Sequence, residues 1–161
     1  MGGRVVVALQ MQRILLIKSL LMEHTLICLM RLVRNAENDI VEAFSCQLNN
    51  SAALNAEIWG CIWGLRRAWD LGLRDIKLFC DSTKVLSLVN SSEINIHEDK
   101  EAIFILRSLL NREWEVSLLW VHREGNLEAD FFARRALGAA SSFNIFSRHY
   151  AEHLLGITGV T

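Results

Sequence analysis

Residues 56–73 read A-E-I-W-G-C-I-W-G-L-R-R-A-W-D-L-G-L, a run that predicts a helix with one acidic residue near its start. Apolar residues recur at helical spacing from Ala52 to Leu71, and Gly72 stands just past the end, where glycine commonly terminates a helix. The residues that share the helix face of Glu57 are all small: Ala53, Gly60, Cys61, Gly64 and Ala68. Because such a face lets a helix lie close on a sheet, we expect Glu57 to point toward the sheet, where a carboxylate needs a partner or a metal ion.

Two further acidic residues stand where one predicted element gives way to the next. Asp81 directly follows a strand predicted over 76–80, and Asp130 lies in the first turn of the last predicted helix. A fold that brings these acids beside Glu57 would form a site for a hard divalent cation, which prefers carboxylate oxygens. Each acid also has an ordinary structural role open to it. Glu57 and Asp130 could complement a helix dipole, and Asp81 could cap a helix, although Ser82 could cap it equally well.

The composition indicates one globular domain, since the chain has 161 residues and is 52% hydrophobic. The net charge of −1 gives no overall basic signature for nucleic acid, but a local basic patch is enough for binding. The four cysteines are widely spaced, which disfavours a zinc site and favours reduced thiols inside the cell, in the nucleus or the cytoplasm. No uncharged apolar run reaches the roughly 18 residues of a membrane span, so we expect no membrane contact. The oligomeric state is not set by these features.

The order of predicted elements indicates an α/β fold with one mixed sheet. Two strands, Leu26–Val33 and Ile40–Cys46, flank a polar turn and form an antiparallel hairpin. After the helix that carries Glu57 come a strand, two helices, a strand and a helix: Ile76–Cys80, Ser82–Asn90, Asp99–Asn111, Glu115–Val121 and Leu127–Ala140. We divide the chain into an atypical apolar segment at 1–24, a domain at 25–140 and a tail at 141–161, where a short helix could form.

Three stretches resemble, in the same order, the ribonuclease H-type domain of plant non-LTR retroelement reverse transcriptases and their domesticated relatives. They are the run at 56–73, F-C-D-S at 79–82 and W-V-H-R-E-G-N-L-E-A-D at 120–130. The resemblance implies a ribonuclease H-like mixed sheet of about five strands, the first strands antiparallel, with helices on both faces. It also implies binding of an RNA–DNA hybrid or another nucleic acid. The activity it implies is hydrolysis of the RNA strand of the hybrid with two Mg²⁺ ions, which Mn²⁺ could replace.

The same resemblance assigns roles to individual residues. The family's helix glutamate, strand-end aspartate and last aspartate match Glu57, Asp81 and Asp130, which are therefore predicted as metal ligands and catalytic groups. His122 lies in a loop where classical members of the family carry a histidine, and it could shuttle protons. Contacts to 2′-hydroxyl groups would distinguish the hybrid. As nucleic-acid contacts we predict Asn55, Arg123 and Asn126.

The first strand departs from the family. That strand ends in Asp-Gly-Ser in the family and supplies a fourth carboxylate, but no Asp-Gly pair occurs in this chain. A loose alignment puts the motif near Lys18, which would bring a positive charge to a cation site. Glu23 and Asp39 could replace the missing acid, although neither stands in a suitable position. The alternatives are therefore an impaired endoribonuclease, a catalytically inactive nucleic-acid-binding module, and a protein-interaction remnant of the same fold.

Overall fold

The computed structural model describes residues 6–18, 25–35, 37, 39–49, 53–80, 82–93, 97–120 and 143–154. The strands are β1 (Val6–Lys18), β2 (Thr25–Arg34), β3 (Ile40–Asn49), β4 (Asp75–Cys80), β5 (Glu115–Trp120) and β6 (Phe143–Ser147). The helices are α1 (Ala53–Asp70), α2 (Thr83–Asn90), α3 (Lys100–Leu110) and α4 (Arg148–Leu154). The predicted helix Leu127–Ala140 lies outside the described residues. None of the described helices is long and apolar enough to cross a membrane.

The strands form one six-stranded mixed sheet in the order β5-β4-β1-β2-β3-β6. The pairs β1–β2, β2–β3 and β3–β6 are antiparallel, whereas β1–β4 and β4–β5 are parallel. The predicted mixed sheet with antiparallel first strands is therefore confirmed. β1, from the apolar segment set apart in the sequence, is a central strand, and β6 from the tail adds a strand to the edge of β3.

Three helices cover one face of the sheet. In β4 the residues alternate, with Ile76, Leu78 and Cys80 buried and the intervening residues more exposed. These side chains belong to one core with buried apolar residues of α1, α2 and α3, including Ile62 and Leu106. Such alternation is what a strand shows when helices pack on one side of it.

On the opposite face of the sheet, α4 packs against β3 and the edge strand β6. Glu42 of β3 faces α1, because its carboxylate binds Arg67 of that helix. Ala43, the next residue, must point to the other face, and it is fully buried. Its partner in β6 is Phe146, whose ring stacks on Tyr150 of α4 with centroids 5.6 Å apart. Helices therefore lie on both faces, as predicted.

The end of α1 follows the glycine prediction. Gly72 adopts a left-handed backbone with φ of 78°, a conformation that residues with a side chain rarely take. Its N–H donates to Trp69 O and the N–H of Leu73 donates to Ala68 O, each at 3.0 Å. These two bonds form a Schellman motif, which satisfies carbonyls at the end of the helix and turns the chain toward β4.

Candidate active site

Glu57 is a buried carboxylate on a helix that packs against the sheet. Only 9% of its surface is exposed, and its chain neighbours Ala56 and Ile58 are fully buried. α1 contacts β1, β2 and β4, so the helix lies over the middle of the sheet. The burial of Glu57 fits the expectation that its side chain does not face open water. Its role as a metal ligand stays a prediction.

The carboxyl end of β4 leads directly into α2 through a serine cap. The Ser82 hydroxyl accepts a hydrogen bond from the N–H of Val85 at 3.3 Å, and Ser82 has an extended backbone, as an N-cap residue does. Of the two candidates for this cap, Ser82 holds it. Asp81, the residue between Cys80 and Ser82 in the chain, lies outside the described residues, and the observed cap leaves its predicted metal role open.

The pairing of β1 with β4 does not support the alignment of the missing acid with Lys18. The two strands run parallel from Val6 opposite Asp75 to Gln10 opposite Phe79. Lys18 stands eight residues beyond Gln10, about 26 Å farther along an extended chain, and pairs instead with Thr25 of β2. The placement of Lys18 at the first-acid position is therefore wrong by this register.

Asp39 does not lie at that end of the sheet. It belongs to the turn between β2 and β3, where its N–H donates to the side-chain oxygen of Asn35 at 2.8 Å. The end of β2 leads into this turn, and its last residue Arg34 pairs with Ala8, which pairs with Lys77 of β4. The turn is thus near the start of β4, whereas the candidate site is near its end. Glu23 lies outside the described residues.

Asn55 has a polar partner at the start of another helix. The side-chain Nδ2 of Asn55 donates to Oδ1 of Asp99 at 2.7 Å, in a half-buried setting. Asp99 immediately precedes α3, so this bond joins the beginnings of α1 and α3. The predicted contact of Asn55 with nucleic acid remains a prediction, since its side-chain oxygen is not used in this bond.

α1 is also held near its other end. Arg67 pairs with Glu42 of β3, and the Trp69 ring meets the Trp114 ring edge-on with centroids 5.1 Å apart. Arg74 stacks on Trp69 at 3.8 Å and donates to the carbonyl of Trp69 at 3.0 Å. The helix that carries Glu57 is therefore fixed to the sheet and to the α3 region along its length.

The remaining predicted site residues lie outside the described part of the chain: Asp81, His122, Arg123, Asn126 and Asp130. Within the described residues, no three His, Cys, Asp or Glu side chains stand close enough to hold a metal ion.

Three residues that position α1 were missed in the sequence: Glu42, Arg67 and Asp99. From the sequence alone, Asp99 would be interpreted as a helix cap and Arg67 as an arginine on the solvated face of a helix. No local signal distinguishes these roles, because each partner is far away along the chain. Only the alternation of β3 could have suggested that Glu42 points inward.

The family model described as reverse transcriptase-like matches residues 29–136. Among curated proteins, the chain is similar to a protein of Arabidopsis thaliana provisionally named as a ribonuclease H protein, with 27% identity over 103 residues. That match covers 64% of this chain but only 17% of the relative. This chain therefore spans a small part of the length of that protein.

Solved structures show the same fold at low sequence identity. The N-terminal RNase H domain of rv2228c from Mycobacterium tuberculosis has a TM-score of 0.66 and 21% identity, with 84% of this chain and 96% of that chain covered. RNase H1 from Halobacterium salinarum has a TM-score of 0.60 and 20% identity, with coverage of 86% and 100%. LC11-RNase H1 in complex with an RNA/DNA hybrid has a TM-score of 0.62 and 13% identity, with coverage of 83% and 99%. The chain thus has the ribonuclease H fold and belongs to the reverse transcriptase-like family.

Proposed function

We propose that this domain binds RNA–DNA hybrids and hydrolyses their RNA strand, with impaired catalysis because the first strand lacks its acid. The observation that supports this most is Glu57, a buried carboxylate on a helix packed against the sheet of a ribonuclease H fold. The sequence motifs around Glu57, Asp81 and Asp130 follow the order of the ribonuclease H-type domain.

The predicted donor set fits Mg²⁺ in its chemistry. Glu57, Asp81 and Asp130 offer only oxygen atoms, and magnesium ions bind carboxylates in preference to nitrogen or sulfur ligands. Mn²⁺ accepts the same donors. When bound, such ions supply an activated water and stabilise charge on the leaving oxygen of the phosphodiester.

The remaining proposed roles belong to side chains of the chain itself. Glu57, Asp81 and Asp130 would hold the ions, and His122 would carry a proton to or from the reacting phosphodiester. Arg123 would hold a phosphate through its guanidinium group. Asn126 would add a polar contact to the nucleic acid, and Asn55 would contact the ribose of the RNA strand.

We propose that Gln12 occupies the position of the missing acid. Gln10 pairs with Phe79, and Gln12 follows Gln10 by two residues just as Asp81 follows Phe79. If the same register continued, the neutral Gln12 would be the β1 residue opposite position 81. An amide oxygen binds a divalent cation without neutralising it, so the site would carry one negative charge fewer than a site with four carboxylates.

The second candidate function is a nucleic-acid-binding module without catalysis. The observation that favours it is β1 itself, because V-V-A-L-Q-M-Q-R-I-L-L-I-K contains no aspartate or glutamate. A third alternative is a protein-interaction remnant of the fold. Measuring the binding of hybrid duplexes at several salt concentrations distinguishes it from both nucleic-acid functions, because binding through phosphate contacts weakens steeply as salt rises.

The test is cleavage of an end-labelled RNA–DNA hybrid with and without Mg²⁺, using the wild-type chain, Asp81→Asn and Glu101→Gln. Glu101 is an exposed acid in the first turn of α3, so its variant controls for the loss of one charge. We expect slow cleavage that requires Mg²⁺, is lost in Asp81→Asn and persists in Glu101→Gln. Folded wild-type protein that binds the hybrid without cutting it would favour the inactive module.

A further inference from the structure

Asp99 stands at the cap position of α3 but does not cap it. Aspartate at this position usually accepts a hydrogen bond from an N–H in the first turn of its own helix. Here no such side-chain bond forms, and the backbone of Asp99 has φ of −92° and ψ of 16°, outside the extended conformation of most caps. The carboxylate of Asp99 is therefore available to a different partner.

That partner is Asn55, in the first turn of the helix that carries Glu57. Asn55 Nδ2 donates to Asp99 Oδ1 at 2.7 Å, and the Asp99 side chain is only 10% exposed. His97 bonds the backbone of Asp99: its Nδ1 accepts a hydrogen bond from the Asp99 N–H at 3.1 Å, and it lies 3.9 Å from Asp99 Oδ2, beyond hydrogen-bond distance. The Asp99 carboxylate is therefore a largely buried acceptor for the Asn55 amide.

The bond decides which way the Asn55 amide faces. An ionised carboxylate accepts hydrogen bonds and donates none, so only the nitrogen side of the amide can face Asp99. The oxygen Oδ1 must then point away from Asp99. Without a fixed acceptor, an asparagine side chain can turn over and present either its donor or its acceptor.

We propose that Asp99 is a positioning residue that orients Asn55 so that Oδ1 accepts a hydrogen bond from a ribose 2′-hydroxyl. The inference rests on the proposed function, because it assigns Asn55 to the RNA strand of a bound hybrid. A 2′-hydroxyl donates a hydrogen bond that DNA cannot supply. Asp99 would therefore contribute to the choice of hybrid over DNA duplex without touching the nucleic acid.

The experiment measures the affinity of the full chain for an RNA–DNA hybrid and for a DNA duplex of the same sequence. Divalent metal is left out so that no strand is cut, and the readout is the ratio of the two dissociation constants. Asp99→Ala and Asn55→Ala should each lower the preference for the hybrid by about 5- to 10-fold, the value of one lost hydrogen bond. The double variant should lose no more than either single variant, because the two residues act as one unit.

Two further variants test whether the hybrid preference depends on the orientation of the Asn55 amide or only on the number of acidic residues near α3. Glu101→Ala removes an exposed acid of α3 and should keep the hybrid preference. Asp99→Asn can both donate to and accept from the Asn55 amide, so it no longer fixes the direction of that amide and should lower the preference nearly as much as Asp99→Ala. Thermal unfolding of each variant shows whether the Asn55–Asp99 bond also stabilises the fold. A stability loss alone would leave the ratio unchanged.

The outcomes distinguish this inference from the proposed function. Hybrid binding with an unchanged ratio in Asn55→Ala or Asp99→Ala overturns the inference and leaves the proposed function standing, with Asn55–Asp99 as a structural bond only. A wild-type chain that binds hybrid and DNA duplex equally also overturns it. A folded wild-type chain that binds neither duplex overturns the proposed function, and the inference falls with it.

Discussion

Arg67 of α1 and Glu42 of β3 form a two-point ion pair between the helix and the sheet. Arg67 Nε lies 2.6 Å from Glu42 Oε2, and Arg67 Nη2 lies 2.6 Å from Glu42 Oε1. The hydrogen bond to Glu42 is the main reason that the pKa of Arg67 is raised above its usual value. Because the planar guanidinium matches both carboxylate oxygens, this pair sets the orientation of α1 on β3 and also stabilises the folded chain.

The first prediction concerns this pair. Glu42→Gln keeps the shape of the side chain but leaves the half-buried guanidinium of Arg67 without its counter-charge. We expect it to lower the free energy of unfolding by about 2 kcal/mol, the range for a hydrogen bond between charged groups that are partly buried. Chemical denaturation measures the change. The matched control is Glu152→Gln, which breaks the exposed Arg148–Glu152 pair and should have little effect. Equal losses in both variants would contradict a special role for the Arg67–Glu42 pair.

The second prediction concerns metal binding. If Glu57, Asp81 and Asp130 hold Mg²⁺, the ion binds the folded chain and raises its melting temperature, because a ligand that binds only the native state stabilises it. Glu57→Gln should remove most of this increase, as should Asp81→Asn and Asp130→Asn. Thermal unfolding across a Mg²⁺ titration gives the answer without any need for catalysis. Glu101→Gln should respond to Mg²⁺ as the wild type does, and an undiminished response in Glu57→Gln would exclude Glu57 as a ligand.

The third prediction restores the missing acid. Gln12→Asp supplies a carboxylate at the β1 position that continues the register with β4, so we expect Mg²⁺ affinity to rise by about tenfold, equivalent to about 1.4 kcal/mol. Cleavage of the hybrid should increase with it. Isothermal titration with Mg²⁺ and a cleavage assay measure the two effects.

Lys18→Asp is the matched control for Gln12→Asp, because it adds an acid at the position that the loose alignment suggested. It should raise neither metal affinity nor cleavage, since Lys18 lies far beyond the last β1 residue paired with β4. A larger gain from Lys18→Asp than from Gln12→Asp would contradict the register of β1.

The fourth prediction concerns the turn after α1. Gly72→Ala should lower the free energy of unfolding by about 1 kcal/mol, because alanine is strained in the left-handed conformation. A β-carbon at this position would meet no atom within 4 Å, so the cost is conformational and involves no clash. Denaturation with urea measures it. Ser108→Ala, at an exposed position of α3, should change stability little. An unchanged stability in Gly72→Ala would show that the chain can end α1 in another way.

Much of the fold was predictable because its signals are local. The period of the apolar residues predicted a helix from Ala52 to Leu71, and α1 runs from Ala53 to Asp70, one residue shorter at each end. Gly72 correctly marked the end of the helix. Ser82 could be named as a cap because a cap bonds within three residues of itself. The candidate site was predictable only as a set of residue types at element edges, with the buried position of Glu57 as the part that the structure bears out.

What only the tertiary structure decided involves partners that are distant along the chain. Asn55 and Asp99 are 44 residues apart, and Glu42 and Arg67 are 25 apart, so no helical or strand period relates them. The pairing of β1 with β4 ends with Gln10 opposite Phe79 and leaves Lys18 far beyond it, which the sequence of β1 alone could not show, because a strand's own sequence does not say where its neighbour begins. Periodicity and capping are properties of a few consecutive residues, whereas register and side-chain pairing depend on how separate elements pack, and that is set by the whole chain at once.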